Sequence, residues 1–406
     1  MSYLLIRGGR LFDPASSLEA EGDLLIVDDR FAAVGEAGEP DGARVVEAEG
    51  LWVLPGLIDL HVHLREPGQE HKETIETGTE AAALGGFAMV AAEPNTVPPR
   101  DTAARVSEVL ALAATAPVRV LQKGALTVGQ EGREVTDLAA LREAGAVAGS
   151  DDGKSVWDDA VMRAAFVAAK AAGLPLTLHV DEPRLMARDI GLSAEIDWPV
   201  HFSHVSLAEE VELIAQAQAR GLRVTGEAAP HHLTLCEEDA PAGDANYKMN
   251  PPLRSRADRD ALVQALAAGV ITVIASDHAP HTAEEKARPY ADAPSGVVGL
   301  ETTLGVVWTQ LVHAGLLAPA TAVRAMTAAP AGVLGLTAPA LRVGARADVT
   351  LLDPEQPWAV DVDAFHSQGR SCPFAGWRLR GRAAGTITAG RLAMWEGMLM
   401  DPDVDW

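Results

Sequence analysis

The chain has 406 residues, 48% hydrophobic and 22% charged, the balance of an ordinary globular protein with room for more than one domain. Its 57 acidic residues outnumber 33 basic ones, and the net charge of -24 repels nucleic acid and anionic lipid, so neither is expected as a partner. No apolar run reaches the roughly 18 residues that span a bilayer. The two cysteines, Cys236 and Cys372, make no disulfide framework and match no zinc spacing, so a cytoplasmic protein with reduced thiols is expected.

The first 54 residues read as short strands over 3–7, 22–27, 32–34 and 44–47, separated by Gly, Pro and Asp turns. An apolar run over 57–63 follows and ends in His61-Val62-His63, with Arg65 two residues on. Strand side chains alternate faces, so His61 and His63 point the same way and form half of a metal site. Arg65 keeps that parity if the strand geometry persists, and its guanidinium could then hold a carboxylate beside the metal. The competing reading of His-x-His alone is two satisfied histidines on an edge strand.

Seven more apolar runs follow, over 87–92, 118–121, 146–149, 174–180, 200–204, 223–228 and 270–276. Helical patterns alternate with them over 73–84, 102–114, 137–144, 158–172, 184–195, 208–220 and 257–268, and an eighth covers 300–313. Gly85-Gly86, Gly173, Gly221 and Gly269 sit where helix C-caps belong. Eight strand–helix units over about 280 residues predict an α/β fold of the (β/α)8 TIM-like barrel type, with a doubly wound sheet as the alternative. After residue 340 the pattern returns to β segments over 347–352, 377–380 and 384–387. Residues 1–54 and 340–406 are therefore expected to pair into a small β-sandwich, with 55–339 as the barrel.

The polar residues cluster just after the apolar runs. His61 and His63 follow the first, Glu93-Pro94-Asn95-Thr96 the second, Ser150-Asp151-Asp152-Gly153 the fourth. His179 follows the fifth, His204 the sixth and Asp277-His278-Ala279-Pro280-His281 the eighth. In a barrel these positions converge on the C-terminal face, where active sites sit. Four histidines with two carboxylates suit Zn²⁺, as one ion or as two bridged by a carboxylate. Zinc lowers the pKa of bound water to near roughly 7, and Asp277 could then take that proton and return it to a leaving group.

These residues resemble a family. Asp59-Leu60-His61-Val62-His63-Leu64-Arg65-Glu66-Pro67-Gly68, Pro94-Asn95-Thr96, Asp151-Asp152-Gly153 and Ala229-Pro230-His231-His232-Leu233 carry the likeness, as do Met249-Asn250-Pro251-Pro252-Leu253-Arg254 and Ser276-Asp277-His278-Ala279-Pro280-His281. The chain resembles the amidohydrolase superfamily and, within it, the bacterial class I dihydroorotases. The resemblance implies a barrel with a sandwich built from both termini. It also implies zinc-dependent interconversion of N-carbamoyl-L-aspartate and L-dihydroorotate in pyrimidine synthesis, with two ions favoured over one. His61 and His63 are then ligands of one metal and His179 and His204 of the other, bridged by Asp152 with Asp151 as the fallback. Asp277 is the catalytic acid/base and a further ligand. Arg65, Asn95, Asn250 and His281 are substrate contacts, with backbone contacts expected at Ser295 and Gly296. His231 and His232 are read as supporting or loop-packing residues. A homodimer and a complex with aspartate carbamoyltransferase are both compatible with this family.

The chain departs from the family pattern in several places. The segment after Glu182 is short, leaving 24 residues between His179 and His204. The third histidine lies in His179-Val180-Asp181-Glu182 rather than His-Cys-Glu-Asp, Glu93 stands where methionine is common, and Ser295 replaces a phenylalanine. Two other readings compete. A cyclic amidase of the allantoinase or hydantoinase type would give Arg65 no charged partner. A non-catalytic subunit of aspartate carbamoyltransferase would have lost ligands that this chain keeps.

Overall fold

The computed structural model describes residues 1–401. Five strands come first: β1 (Tyr3–Asp13), β2 (Leu18–Val27), β3 (Arg30–Gly35), β4 (Arg44–Glu47) and β5 (Trp52–Pro55). Strand and helix then alternate through β6 (Leu57–Val62), α1 (Ile75–Leu84), β7 (Phe87–Ala92), α2 (Ala103–Leu112), β8 (Arg119–Gln122) and β9 (Gly124–Ala125). The alternation continues with α3 (Leu138–Glu143), β10 (Gly149–Ser150), α4 (Asp159–Ala172), β11 (Leu176–Leu178), α5 (Pro183–Ile196), β12 (Val200–Phe202) and α6 (Ala208–Ala219). It closes with β13 (Val224–Ala228), α7 (Pro230–Thr234), α8 (Arg256–Ala268) and β14 (Val273–Ile274). Short helices α9 (Ala283–Lys286), α10 (Thr303–Val307), α11 (Pro319–Ala325) and α12 (Ala328–Val333) lead to the last strands, β15 (Val349–Ala359), β16 (Arg378–Thr388), β17 (Arg391–Trp395) and β18 (Met398–Leu399).

The middle strands pair in parallel, in the orders β6-β7-β8 and β9-β10-β11-β12-β13-β14. Only Lys123 separates β8 from β9, and at the other end Val62 bridges His278 in parallel. Each of the eight predicted apolar runs contains or borders one of these strands. Leu57, Val62, Phe87 and Val90 of the strands share one buried core with Ile75, Ala81, Val106 and Phe166 of the helices. Gly173 and Gly269 are the helix C-caps that the sequence indicates, and side-chain N-caps stand opposite them. Asp158 accepts from the N–H groups of Ala160 and Val161 at the start of α4, and Gly173 ends it at φ +66. Ser255 and Gly269 do the same for α8. The predicted helix over 300–313 is instead α10 followed by a π-helical turn, Trp308–Val312, which carries the fully buried Trp308 edge-on to Trp52.

The two ends of the chain do pair, since Val349 lies opposite Pro55 and Leu351 opposite Val53 in an antiparallel ladder. They do so within one nine-stranded sheet, ordered β18-β17-β16-β15-β5-β1-β2-β3 with β4 beside β1. The strands from the two ends thus form one continuous sheet. Its far edge returns through hydrogen bonds of Phe31 with Gly344 and Ala345, and Ile26, Phe31, Ile387 and Leu392 share its core. The predicted break between 380 and 384 is absent, because β16 runs straight through it. Gly381 sits there at φ +102, and a Cβ would lie 2.6 Å from the Trp308 ring, so a turn-like residue serves a packing need inside a strand.

Candidate metal centre

The ligand-type side chains gather at the C-terminal ends of the parallel strands. His61 is the penultimate residue of β6, and His63, Asp152, His179, His204 and Asp277 lie within three residues beyond β6, β10, β11, β12 and β14. The β6 end is held from both sides. Asp59 accepts from the N–H groups of His61 and Ser276, and the His63 N–H donates to the carbonyl of His278 at 2.8 Å. His204 and Asp277 take left-handed backbone conformations, φ +34 and +48, which are costly for non-glycine residues and typical of functional sites.

Asp152 is the hub. Its carboxylate lies 3.3 Å from His61 Nε2, 3.5 Å from His63 Nε2, 3.6 Å from His179 Nδ1 and 3.3 Å from His204 Nε2. Two groups able to hold a metal result, His61–His63–Asp152 and Asp152–His179–His204, all buried, with ligand atoms within 4.8 Å of one another in each. Asp277 Oδ1 stands 3.4 Å from His63 Nε2 and 3.6 Å from His61 Nε2. The buried Nε2 of His61 has no hydrogen-bond partner, although carboxylate oxygens surround it at 3.3 to 3.8 Å. A cation fits that spacing, and two cations sharing Asp152 fit both groups. Asp151 turns away and accepts from the N–H groups of Leu126 and Thr127, so it is not placed to bridge.

The electrostatics point the same way. Burial opposes charge throughout, yet Asp152, Glu93 and Glu227 hold the His61 pKa well above the imidazole range. Burial likewise opposes the charge on His179, but Asp152 and Asp181 raise it to about 9. Asp152 is held well below the usual carboxylate range by His61, His179 and His204, and Asp277 is lowered by His63 and His61, each against the effect of burial. The buried carboxylates thus make positive charge, whether a ring proton or a metal ion, favourable at this spot.

Outer partners orient the rings. Asn95 Oδ1 is 2.9 Å from His63 Nδ1, Asp181 Oδ1 is 3.1 Å from His179 Nε2, and Glu227 Oε1 is 2.6 Å from His61 Nδ1. Asn95, expected as a substrate contact, is thus placed against the His63 ring. Sequence reasoning did not single out Glu227, because it lies within the run read as the seventh apolar strand. It also did not link Glu93 to Lys123, with which it forms a fully buried ion pair, or to the Ser150 hydroxyl that donates to it at 2.7 Å.

Arg65 does not keep strand parity, because β6 ends at Val62 and Arg65 adopts φ +61. It still faces this region. Its Nε donates to the Pro280 carbonyl at 3.2 Å and its Nη2 lies 3.4 Å from His281 Nε2. Burial lowers its pKa to about 10, with Asp277 and Asp152 opposing. His281 donates to the Ser295 carbonyl at 2.9 Å, and burial with Arg65 and Lys72 lowers it to about 3. Gly296 sits at φ +138 where a Cβ would come within 2.6 Å of the Ala279 carbonyl. Asn250 is exposed, beside Pro251, whose carbonyl accepts from His232 at 2.9 Å. His231 is buried, and burial lowers its pKa to about 4.

The described residues contain no helix long and apolar enough to cross a membrane. Residues 50–191 match the Dihydro-orotase-like family. The chain is 45% identical to the dihydroorotase of Pelotomaculum thermopropionicum, over 96% of this chain and 98% of the relative. It is 41% identical to that of Bacillus cereus, over 97% and 98%. Among solved structures, the L-hydantoinase (dihydropyrimidinase) of Arthrobacter aurescens superposes with a TM-score of 0.91 at 25% identity, over 99% of this chain and 98% of that one. The dihydropyrimidinase of Brevibacillus agri shares the fold at a TM-score of 0.87 and 23% identity, over 98% and 96%. On the strength of the full-length likeness at 41–45% identity, this chain belongs to the dihydroorotase family.

Proposed function

We propose that this protein is a class I, zinc-dependent dihydroorotase that interconverts N-carbamoyl-L-aspartate and L-dihydroorotate in pyrimidine synthesis. One observation carries the reading: two ligand groups share Asp152 at strand ends where Arg65, 8% exposed, presents a guanidinium. We read the parallel strands as a closed (β/α)8 barrel over 55–339, which the Val62–His278 bridge supports, and residues 1–54 and 340–406 as the second domain.

His61 and His63 would hold one ion, His179 and His204 the other, with Asp152 between them. When bound, the metal supplies an activated water and an electrophile for the ring carbonyl. The protein's own residues do the rest. Asp277 accepts the proton of the attacking water and hands it to the departing ring nitrogen. Arg65, its Nε anchored on Pro280, binds the substrate carboxylate and fixes the orientation of the ring. His281, held on Ser295, and the close backbone at Gly296 shape the same end of the pocket. A hydantoin ring without a carboxylate would leave Arg65 without a charged partner. This separates the reading from a hydantoinase on the same scaffold.

The test is dihydroorotate ring opening and metal content measured on one purified sample. The protein should carry metal and turn over, and Asp277→Asn should lower kcat by about 10²–10⁴-fold. Protein that stays inactive after zinc reconstitution would overturn the reading.

A further inference from the structure

The strand faces turned away from the helices carry an unusual buried polar chain. Residues paired in a parallel ladder share a face, so Thr177, His201 and Thr225 lie side by side, with Glu227 one step further along β13. Glu227 is 1% exposed and uses both carboxylate oxygens. Oε1 lies 2.6 Å from His61 Nδ1 and accepts the backbone N–H of His204 at 3.3 Å. Oε2 lies 3.1 Å from His201 Nε2, whose Nδ1 is 2.9 Å from the Thr225 hydroxyl. A single carboxylate therefore grips one residue from each of the two ligand groups. His204 is the one whose backbone sits at φ +34, a conformation that needs outside support.

We propose that Glu227, braced by His201 and Thr225, is a positioning residue that sets the tautomer and ring plane of His61 and the backbone of His204, so that both ligand groups are built before a metal arrives. With its Nδ1 committed to Glu227, His61 presents only its other nitrogen, the buried Nε2 without a hydrogen-bond partner, toward the space between Asp152 and Asp277, where a metal would take it as a ligand. The inference rests on the metal-centre reading above and adds a residue to it that lies outside the ligand set.

The chemistry of the substitution separates positioning from charge. Glu227→Gln keeps an oxygen for His61 and His204, and its amide can donate to His201 after a tautomer change, so geometry survives while the anion is lost. Glu227→Ala loses both. The experiment is titration of the metal-stripped full chain with Zn²⁺ under chelator competition, and with Co²⁺ followed by visible absorption. Outer-shell losses of this type cost about 10–100-fold in metal affinity. Glu227→Ala should fall near the upper end with an altered Co²⁺ spectrum, and Glu227→Gln near the lower end with a spectrum close to wild type. Wild-type affinity and spectrum in a folded Glu227→Ala protein would overturn the proposal. If that variant does not fold, Glu227→Asp decides, because it keeps the anion on an arm too short to reach both rings: weakened affinity with an altered Co²⁺ spectrum supports the proposal, and wild-type values overturn it. Failure of the wild-type chain to bind either metal would remove the metal centre itself, a different result from binding that ignores Glu227.

Discussion

Arg65 stays positively charged near neutral pH while only 8% exposed, although burial lowers its pKa to about 10. A fixed planar fork in such a setting binds a carboxylate through two parallel bonds, which a lysine ammonium cannot copy. Arg65→Lys should therefore raise KM for dihydroorotate by about tenfold or more, with a smaller effect on kcat, as steady-state kinetics would show. An unchanged KM would take Arg65 out of the substrate site. At this scale the sequence was readable where a residue closes an apolar run: the four histidines, Asp152 and Asp277 lie together at or just beyond the strand ends that those runs predict. It was not readable where a role depends on a partner far along the chain. Glu227 meets His61 across 166 residues, and Lys123 meets Glu93 across 30, so neither pairing leaves a local signature. The conformation of Arg65 was missed for a related reason. Alternation predicts a face only while the strand lasts, and β6 stops at Val62.

Helix α5 shows how the short segment after His179 is absorbed. Glu182 is its N-cap and Pro183 its first residue, so the strand end passes almost directly into the helix, and Asp181 is kept on His179. The same helix buries Asp189. Its Oδ1 accepts from Arg188 at 2.9 Å while its Oδ2 has no partner, and burial raises its pKa to about 6. A carboxyl raised above its unfolded value favours folding most below pH 4, and that benefit is lost as pH rises through 6. Asp189→Asn should therefore stabilise the protein at pH 8, by on the order of 2 kcal/mol, and have little effect near pH 4. Urea unfolding at the two pH values would check this, and equal effects at both would contradict it. Elements like α4 and α8 were legible because caps and periodicity agree. The stretch over 300–313 was not, because its π-helical turn serves to seat Trp308, a tertiary demand invisible in a helical pattern. Gly381 misled in the opposite direction, since a glycine required by the Trp308 ring looks the same in sequence as one required by a turn.

At the scale of the whole molecule, the ligands come from the ends of β6, β10, β11, β12 and β14, so a metal at Asp152 ties together segments spread over more than half the chain. A ligand that binds only the folded state stabilises it by about 4 kcal/mol at a thousandfold excess over its Kd. Chelation should lower the melting temperature, and added Zn²⁺ should restore it in proportion to the logarithm of its concentration. A melting curve indifferent to chelator would argue against a resident ion. The repeated strand–helix alternation made the central architecture legible from sequence. That the two ends of the chain pair was legible from their shared β pattern, but the register was not, since nothing local states that residue 55 will meet residue 349. That meeting has a consequence for biogenesis. Strand β5 takes β15 as a neighbour, and the nearby Leu57 N–H donates to a Thr350 hydroxyl 293 residues later. At about 5–20 residues per second, a ribosome needs roughly 15–60 s to deliver that stretch. During that interval the nascent N-terminal strands present an unpaired edge and the apolar faces of Leu11 and Val53 without their cover. Strands made late are thus the ones that cover strands made early, which leaves the early edge open to intermolecular pairing throughout that interval.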